Sequence, residues 1–315
     1  MPPTFRRLRR PPDAAYDAVV IGAGIGGLIS ANLLAKAGLS VLLVEQHYMA
    51  GGYCSTFRRA GYTFDAATHF YPLLGNPETI SGRLLAEIGV ETGWVKMDPV
   101  DTFHFPDGTR FAVPADFDTY LSRLKAEFPA ETVALDGFFA QAREAYFLGL
   151  LHYFRGREVE RLAPLLPLTV REALDRTFGD PKLKLLLTAD CPHWGSPPGR
   201  TSFVFDSMLR LSYFLGNYYP KGGSQAFADD LARCFTERGG HILMRSPVRK
   251  IEVVDGVARG VRIDVHLGQT VLPVRIAAGA VLSNADLLLT LSELVGEEHL
   301  PADLLPGLRA LRPTY

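Results

Sequence analysis

One stretch, Tyr16 to Thr56, constrains this chain more than any other. A short apolar, valine-rich run, Tyr16-Asp-Ala-Val-Val-Ile21, breaks at Gly22-Ala-Gly24-Ile-Gly-Gly27 and continues with helical spacing from Leu28 to Lys36. After a turn at Gly38 come Val41-Leu-Leu-Val44 and then Glu45. Run length, β-branched content and glycine punctuation predict strand, turn, helix and strand, with an acid at the tip of the second strand.

That order suits the ADP half of a dinucleotide. Gly22 permits the tight turn out of the first strand, Gly24 admits a pyrophosphate close to the backbone, and Gly27 lets helix and strand approach. The free N–H groups and positive dipole end of the helix then face the phosphates. Glu45, about 20 residues beyond the turn, is placed to accept hydrogen bonds from ribose hydroxyls.

The residues that follow narrow the reading. Glu45-Gln46-His-Tyr-Met-Ala-Gly51-Gly52-Tyr-Cys-Ser55-Thr56 is similar to the acid and paired-glycine segment of FAD-dependent amine oxidases and phytoene desaturases. The next residues, Phe57 and Gly61-Tyr-Thr-Phe-Asp65-Ala-Ala-Thr-His69, resemble the branch that holds phytoene desaturases, carotenoid isomerases and retinol saturases. Tyr218-Tyr-Pro-Lys-Gly-Gly223 looks like another segment of that group. Tyr53 stands where many relatives carry a basic residue, and Ala67 where glycine is usual.

The resemblance implies FAD as cofactor, held by Gly22, Gly24, Ile25, Gly26, Gly27, Glu45, Gln46, Gly51, Gly52, Ser55 and Thr56. It further implies backbone contacts from Val248 to the adenine and an approach of Asn284 to the flavin. His69, which follows the glycine loop in the family's order, is the candidate catalytic residue, with a histidine satisfied by backbone carbonyls as the alternative.

Composition sets outer bounds. A length of 315 residues has room for two domains, and a formal net charge of -1 gives no pull toward nucleic acid. Cys54, Cys191 and Cys234 show no metal-ligand spacing, so no metal is expected and reduced thiols in a cytoplasmic protein are. No apolar run reaches the ~18 residues of a membrane span, which leaves peripheral membrane contact as the form any lipid association would take. Arg6, Arg7, Arg9 and Arg10 crowd the N-terminus and read as a solvated tail.

The rest of the chain divides accordingly. Residues 1–13 form the basic tail, 14–100 the first part of an FAD-binding domain, 101–217 a substrate domain, 218–295 the second FAD part, and 296–315 the start of a return to the substrate domain. A hairpin is expected around Pro106-Asp-Gly108, and long aromatic helices from Ala115 to Tyr218. Ser224 is the expected N-cap of a helix from Gln225 to Arg238. Strands are expected at Gly240–Met244, Val248–Val253, Arg259–Ile263 and from Ala280, with a turn at Asp255-Gly256.

The fold class is α/β: a Rossmann-like FAD domain of glutathione-reductase type with a discontinuous, partly helical substrate domain, lacking the C-terminal part of the family's fold. The function implied is hydride exchange between flavin and a carotenoid or retinoid polyene, an apolar isoprenoid substrate. Two alternatives stand beside it. One is a truncated, catalytically silent chain that binds a nucleotide, a second copy or a complementing C-terminal chain; the other is a flavin amine oxidase, which would want a more polar substrate region.

Overall fold

The computed structural model describes residues 5, 7–9, 11, 13–157 and 159–311. In chain order the elements are β1 (Ala15–Ile21), α1 (Ile25–Lys36), β2 (Val41–Val44), β3 (Thr56–Arg59), β4 (Tyr62–Asp65), β5 (Tyr71–Pro72), α2 (Ile80–Ile88) and β6 (Trp94–Lys96). There follow β7 (Asp101–His104), β8 (Arg110–Val113), α3 (Phe117–Glu127), α4 (Thr132–Arg155), α5 (Val170–Thr177), α6 (Pro181–Thr188) and α7 (Phe203–Tyr213). The last are β9 (Asn217–Pro220), α8 (Ser224–Glu237), β10 (His241–Leu243), β11 (Val248–Val254), β12 (Val257–Leu267), β13 (Thr270–Ser283) and α9 (Leu304–Ala310). Two compact units result: the first takes residues up to Phe70, Pro77–Val95 and Tyr219–Leu311, the second Tyr71–Asn76 and Lys96–Tyr218.

The first unit is built on a six-stranded sheet in the order β10-β2-β1-β13-β12-β11. The pairs β10–β2, β2–β1 and β1–β13 are parallel, whereas β13–β12 and β12–β11 are antiparallel. Val19, Ile21, Leu42, Val44, Val261, Ile263 and Ile276 join one continuous core, as expected of strands covered on both faces. Asn32 of α1, buried, donates through Nδ2 to the carbonyls of Leu28 and Leu231, so α1 and α8 are tied by a hydrogen bond as well as by packing.

The mixed half of the sheet departs from expectation. The strand expected from Ala280 begins at Thr270 and serves two neighbours, pairing with β12 through Ala277 and with β1 as far as Ser283. Gly260 makes this possible, because a Cβ there would stand 2.2 Å from the carbonyl oxygen of Ile276. Asp255 and Gly256 both have positive φ (52° and 75°), the pattern of a two-residue hairpin turn whose twist matches its strands.

Three other expectations are corrected. The basic segment is no free tail where it is described: the Leu8 amide donates to the Ile242 carbonyl at the β10 edge, Phe5 is buried, and Arg7 donates to the Tyr48 carbonyl; Arg6 and Arg10 lie outside the described residues. Ser224 is the first residue of α8, not its cap, which is Gly223 without a side-chain bond. Of the expected return over 296–315, residues 296–311 group with the first unit, where Arg309 pairs with Glu297 and Lys250 with Glu298; residues 312–315 lie outside the described residues.

The second unit is helical beyond the β7–β8 hairpin, whose turn carries Gly108 at φ 82°. Asp116 caps α3 by accepting the Thr119 amide at 2.8 Å, and Ser202 caps α7. Gly149 lets α4 and α7 close together, since a Cβ would lie 2.6 Å from Met208 Sδ. Phe138 stacks edge-on with Phe139 and Phe203, both buried. Aromatic residues at helical spacing are therefore mostly core here, which is what their area favours.

Through this core runs one ionic group. Arg210 donates to both oxygens of Asp206, to Asp190 and to the Leu187 carbonyl, and is 3% exposed. Burial pushes the Asp190 carboxyl up while Arg210 opposes the shift. Arg210→Ala would strand two buried carboxylates at a cost of about 3–5 kcal/mol. The expected result is a large fall in the urea midpoint at unchanged slope; an unaltered midpoint would show the network contributes nothing.

A candidate dinucleotide cleft

At the C-terminal ends of β1 and β2 the first unit opens a cleft of about 720 Å³, within the range of ligand sites. Its walls come from the turn after β1, the tip of β2, the segment 46–55, Ser246 and Val248 before and at β11, and the residues after β13.

The glycine turn explains why the cleft exists. The Gly22 amide donates to the Val44 carbonyl at 2.8 Å, and Gly22 itself has φ 92°, a conformation that side chains resist. A Cβ on Gly27 would fall 2.0 Å from the Gly22 carbonyl oxygen. Helix α1 therefore starts directly against the strand it leaves. No side chain caps it and no acid sits in its first turn, so its N-terminal amides and dipole are available to an anion.

Glu45 does more than its sequence position suggested. Oε2 accepts the Ala23 amide and Oε1 accepts the His47 amide, each at 2.7 Å. The acid thus ties the glycine turn to the segment after β2, and its remaining lone pairs stay available for a diol. Its backbone is fixed as well: its amide donates to Leu243 and its carbonyl accepts from Ser246. Arg245, at φ 52°, turns the chain there, and its amide donates to the His47 carbonyl.

A second glycine turn faces the first. Gly51 and Gly52 have φ of 116° and 58°, the Gly51 amide donates to the Ala23 carbonyl at 2.8 Å, and a Cβ on Gly52 would meet Gly24 Cα at 3.3 Å. A side chain at Gly52 would fill the space between the two turns, and one at Gly51 would press on the Cys54 carbonyl and on Ala228.

Of the residues named from sequence, Gly22, Gly24, Ile25, Glu45, Gln46, Gly51, Gly52, Ser55, Val248 and Asn284 line this one cleft. Gly26, Gly27 and Thr56 are not among its lining residues. Gly26 is covered by Asn284, whose Oδ1 would be 2.5 Å from an added Cβ, and the Asn284 amide donates to the Ile21 carbonyl. His69 is exposed and is not among the lining residues.

Sequence reasoning missed His47, Met49, Cys54, Ser246, Asp286 and Leu294 as lining residues. Ser246 could have been found from its place just past the C-terminal end of a parallel strand, where such ligands sit. Among the described residues the lining includes Glu45 and Asp286 but neither lysine nor arginine. A pyrophosphate here would be met by helix dipole and backbone amides, and the residues present fit such a group.

A family profile described as flavin containing amine oxidoreductase matches residues 25–292. The all-trans-retinol 13,14-reductase of Rattus norvegicus is 31% identical over 94% of this chain and 52% of its own length. The chloroplastic prolycopene isomerase of Daucus carota is 27% identical over 91% of this chain and 49% of its own. The chain thus spans about half the length of the curated relatives it matches. Cyclohexylamine oxidase from Brevibacterium oxydans shares the fold, with a TM-score of 0.60 at 20% identity over 93% of this chain and 63% of its own.

Two glycines separate folding from binding. Gly24 has ordinary φ (-68°) and an added Cβ would press only on Asn284 Nδ2 at 3.0 Å, so Gly24→Val should fold yet bind FAD at least tenfold more weakly. Gly27→Ala, blocked by backbone, should lower the melting temperature first. Equal effects of both on stability and binding would contradict this assignment.

Proposed function

We propose, on the footing that this chain belongs to the flavin containing amine oxidoreductase family, that it is an FAD-dependent oxidoreductase acting on a retinoid or carotenoid polyene. The cofactor is FAD, as the family description and the cleft both indicate. The single observation that carries the substrate reading is the similarity to retinol reductase and prolycopene isomerase across more than nine-tenths of the chain.

FAD, when bound, supplies hydride acceptance or delivery. The chain's own residues then have separable roles. The first turn of α1 with Gly22 and Gly24 takes the pyrophosphate, Glu45 the ribose hydroxyls, Val248 the adenine edge, and Gly51, Gly52 and Ser55 the arm leading to the flavin ring. Gly26, Gly27 and Thr56 hold the backbone of these contacts, and Asn284 covers the helix start. Residues 14–100 and 218–295 are the FAD-binding parts in this reading, and 101–217 the substrate domain.

The apolar substrate finds its chemical match in the second unit. Phe147, Leu151 and Phe154 are exposed on α4 at a spacing that puts them on one stripe. A stripe of this kind suits peripheral contact with a bilayer that holds the polyene. Among the described residues no helix is long and apolar enough to cross a membrane.

His69 is proposed to hand over the proton that accompanies hydride transfer to a double bond. The decisive experiment reconstitutes the protein with FAD and supplies all-trans-retinol, a poly-cis carotene or a primary amine. Conversion of a polyene with no amine-dependent peroxide is expected; peroxide from the amine alone would overturn the substrate reading. His69→Gln should lower turnover by about 100-fold with flavin content unchanged. Unaltered turnover would remove His69 from the catalytic reading.

A further inference from the structure

Helix α8 begins beside the cleft, yet its own sequence does not cap it. Gly222 and Gly223 precede it at φ 91° and 88°, and neither has a side chain to offer. The missing acceptor comes from a residue 159 positions earlier. Oδ1 of Asp65, at the end of β4, accepts the Ser224 amide at 3.2 Å, and Oδ2 accepts the Tyr219 hydroxyl at 2.5 Å. Ser224 is fully buried, and its Oγ donates to the Thr68 carbonyl at 3.4 Å.

Asp65 also sits at the open end of the β3–β4 ribbon, beside the point where the chain leaves the second glycine turn. It pairs with Thr56, and the amide of the next residue, Ala66, donates to the Ser55 carbonyl at 2.9 Å. The other end of that turn is held by α8 itself: Gln225 Nε2 donates to the Ala50 carbonyl at 3.0 Å, and a Cβ on Gly51 would lie 3.0 Å from Ala228 Cβ. The turn from Gly51 to Ser55, which lines the cleft, is thus gripped at Ala50 by the first turn of α8 and at Ser55 by the ribbon. The Asp65 carboxylate joins the two grips.

We infer that Asp65 is a positioning residue for the cofactor cleft: by capping α8 from the ribbon and binding Tyr219, it sets the geometry of the Gly51–Ser55 turn without touching the cofactor. This rests on the FAD reading for its consequence but not for its test. A carboxylate at a helix N-terminus is favoured by the dipole and by charge-assisted bonds from amide and phenol. Burial and the bond to Asp65 push the Tyr219 phenol up to about 12, so the hydroxyl stays a donor at neutral pH. Asparagine can replace one of the two acceptor oxygens; alanine replaces neither.

The test uses the full chain with two readouts. In the absence of FAD, Asp65→Ala should speed hydrogen exchange in the peptide covering 222–226 and also in the peptide covering 50–55, which the Asp65 carboxylate reaches only through the ribbon and α8. With FAD, the dissociation constant should rise at least tenfold for Asp65→Ala, less for Asp65→Asn and about threefold for Tyr219→Phe, and the visible circular dichroism of the bound flavin should change. If Asp65→Ala does not fold, the Asn and Phe variants carry both readouts. Faster exchange confined to 222–226 would make Asp65 a local helix cap and overturn the inference, as would FAD affinity within twofold of the unmodified chain. Absence of FAD binding by the unmodified chain would strike the functional reading instead, and the exchange result would still decide the role of Asp65.

Discussion

A carbonyl oxygen and a missing methyl group govern this molecule. Gly22 places its carbonyl where any Cβ on residue 27 would collide at 2.0 Å, and only the absence of that Cβ lets α1 start against β1. From this contact follow the uncapped helix end, the position of Gly24 and the cleft between the two glycine turns. The hydrogen bond from Gly22 to Val44 and those from Ala23 to Glu45 and from Gly51 to Ala23 all hang on the same few residues. Moving any one of them moves the anion site, because backbone amides have no rotamers with which to compensate.

The sheet supplies the rigidity such a site needs. β13 continues from an antiparallel hairpin with β12 into a parallel pairing with β1, and delivers Asn284 and Asp286 to the cleft at its end. One long strand thus fixes the far wall relative to the glycine turn. Asparagine and acid arrive there by register, which a one-residue slip would destroy. Helix α8 does the same for the second glycine turn through Gln225 and Ala228.

How much of this could be read beforehand depends on the range of the forces involved. The strand, glycine turn, helix and strand from Tyr16 to Glu45 were legible because their signals are local: short apolar runs, Gly punctuation and helical spacing. The same holds for the Asp255-Gly256 turn, where two adjacent positive φ values suit the residues present. Ten of the proposed cofactor residues line the cleft: Gly22, Gly24 and Glu45 were named from the local pattern, and the others, Val248 and Asn284 among them, from the family resemblance. The tie from Glu45 to Ala23, the cap of α8 by Asp65 and the docking of Leu8 on β10 were not legible, since each joins residues distant in sequence whose types suit many other partners. Ser224 misled because serine before a helical run is a good local cap signal, and only the fold brought a carboxylate in its place. His69 was placed by its order after the glycine loop, and order alone does not say which way a side chain faces.

The central claim is that two facing glycine turns and an uncapped helix end form one dinucleotide cradle. Hydrogen exchange measured at each amide of the full chain, with and without saturating FAD, tests this directly. The account predicts slowing at Gly24 to Gly27 and at Gly51 to Ser55 together, with the helices of the second unit little changed. Slowing at only one of the two turns, or equal slowing by NAD and FAD, would contradict it.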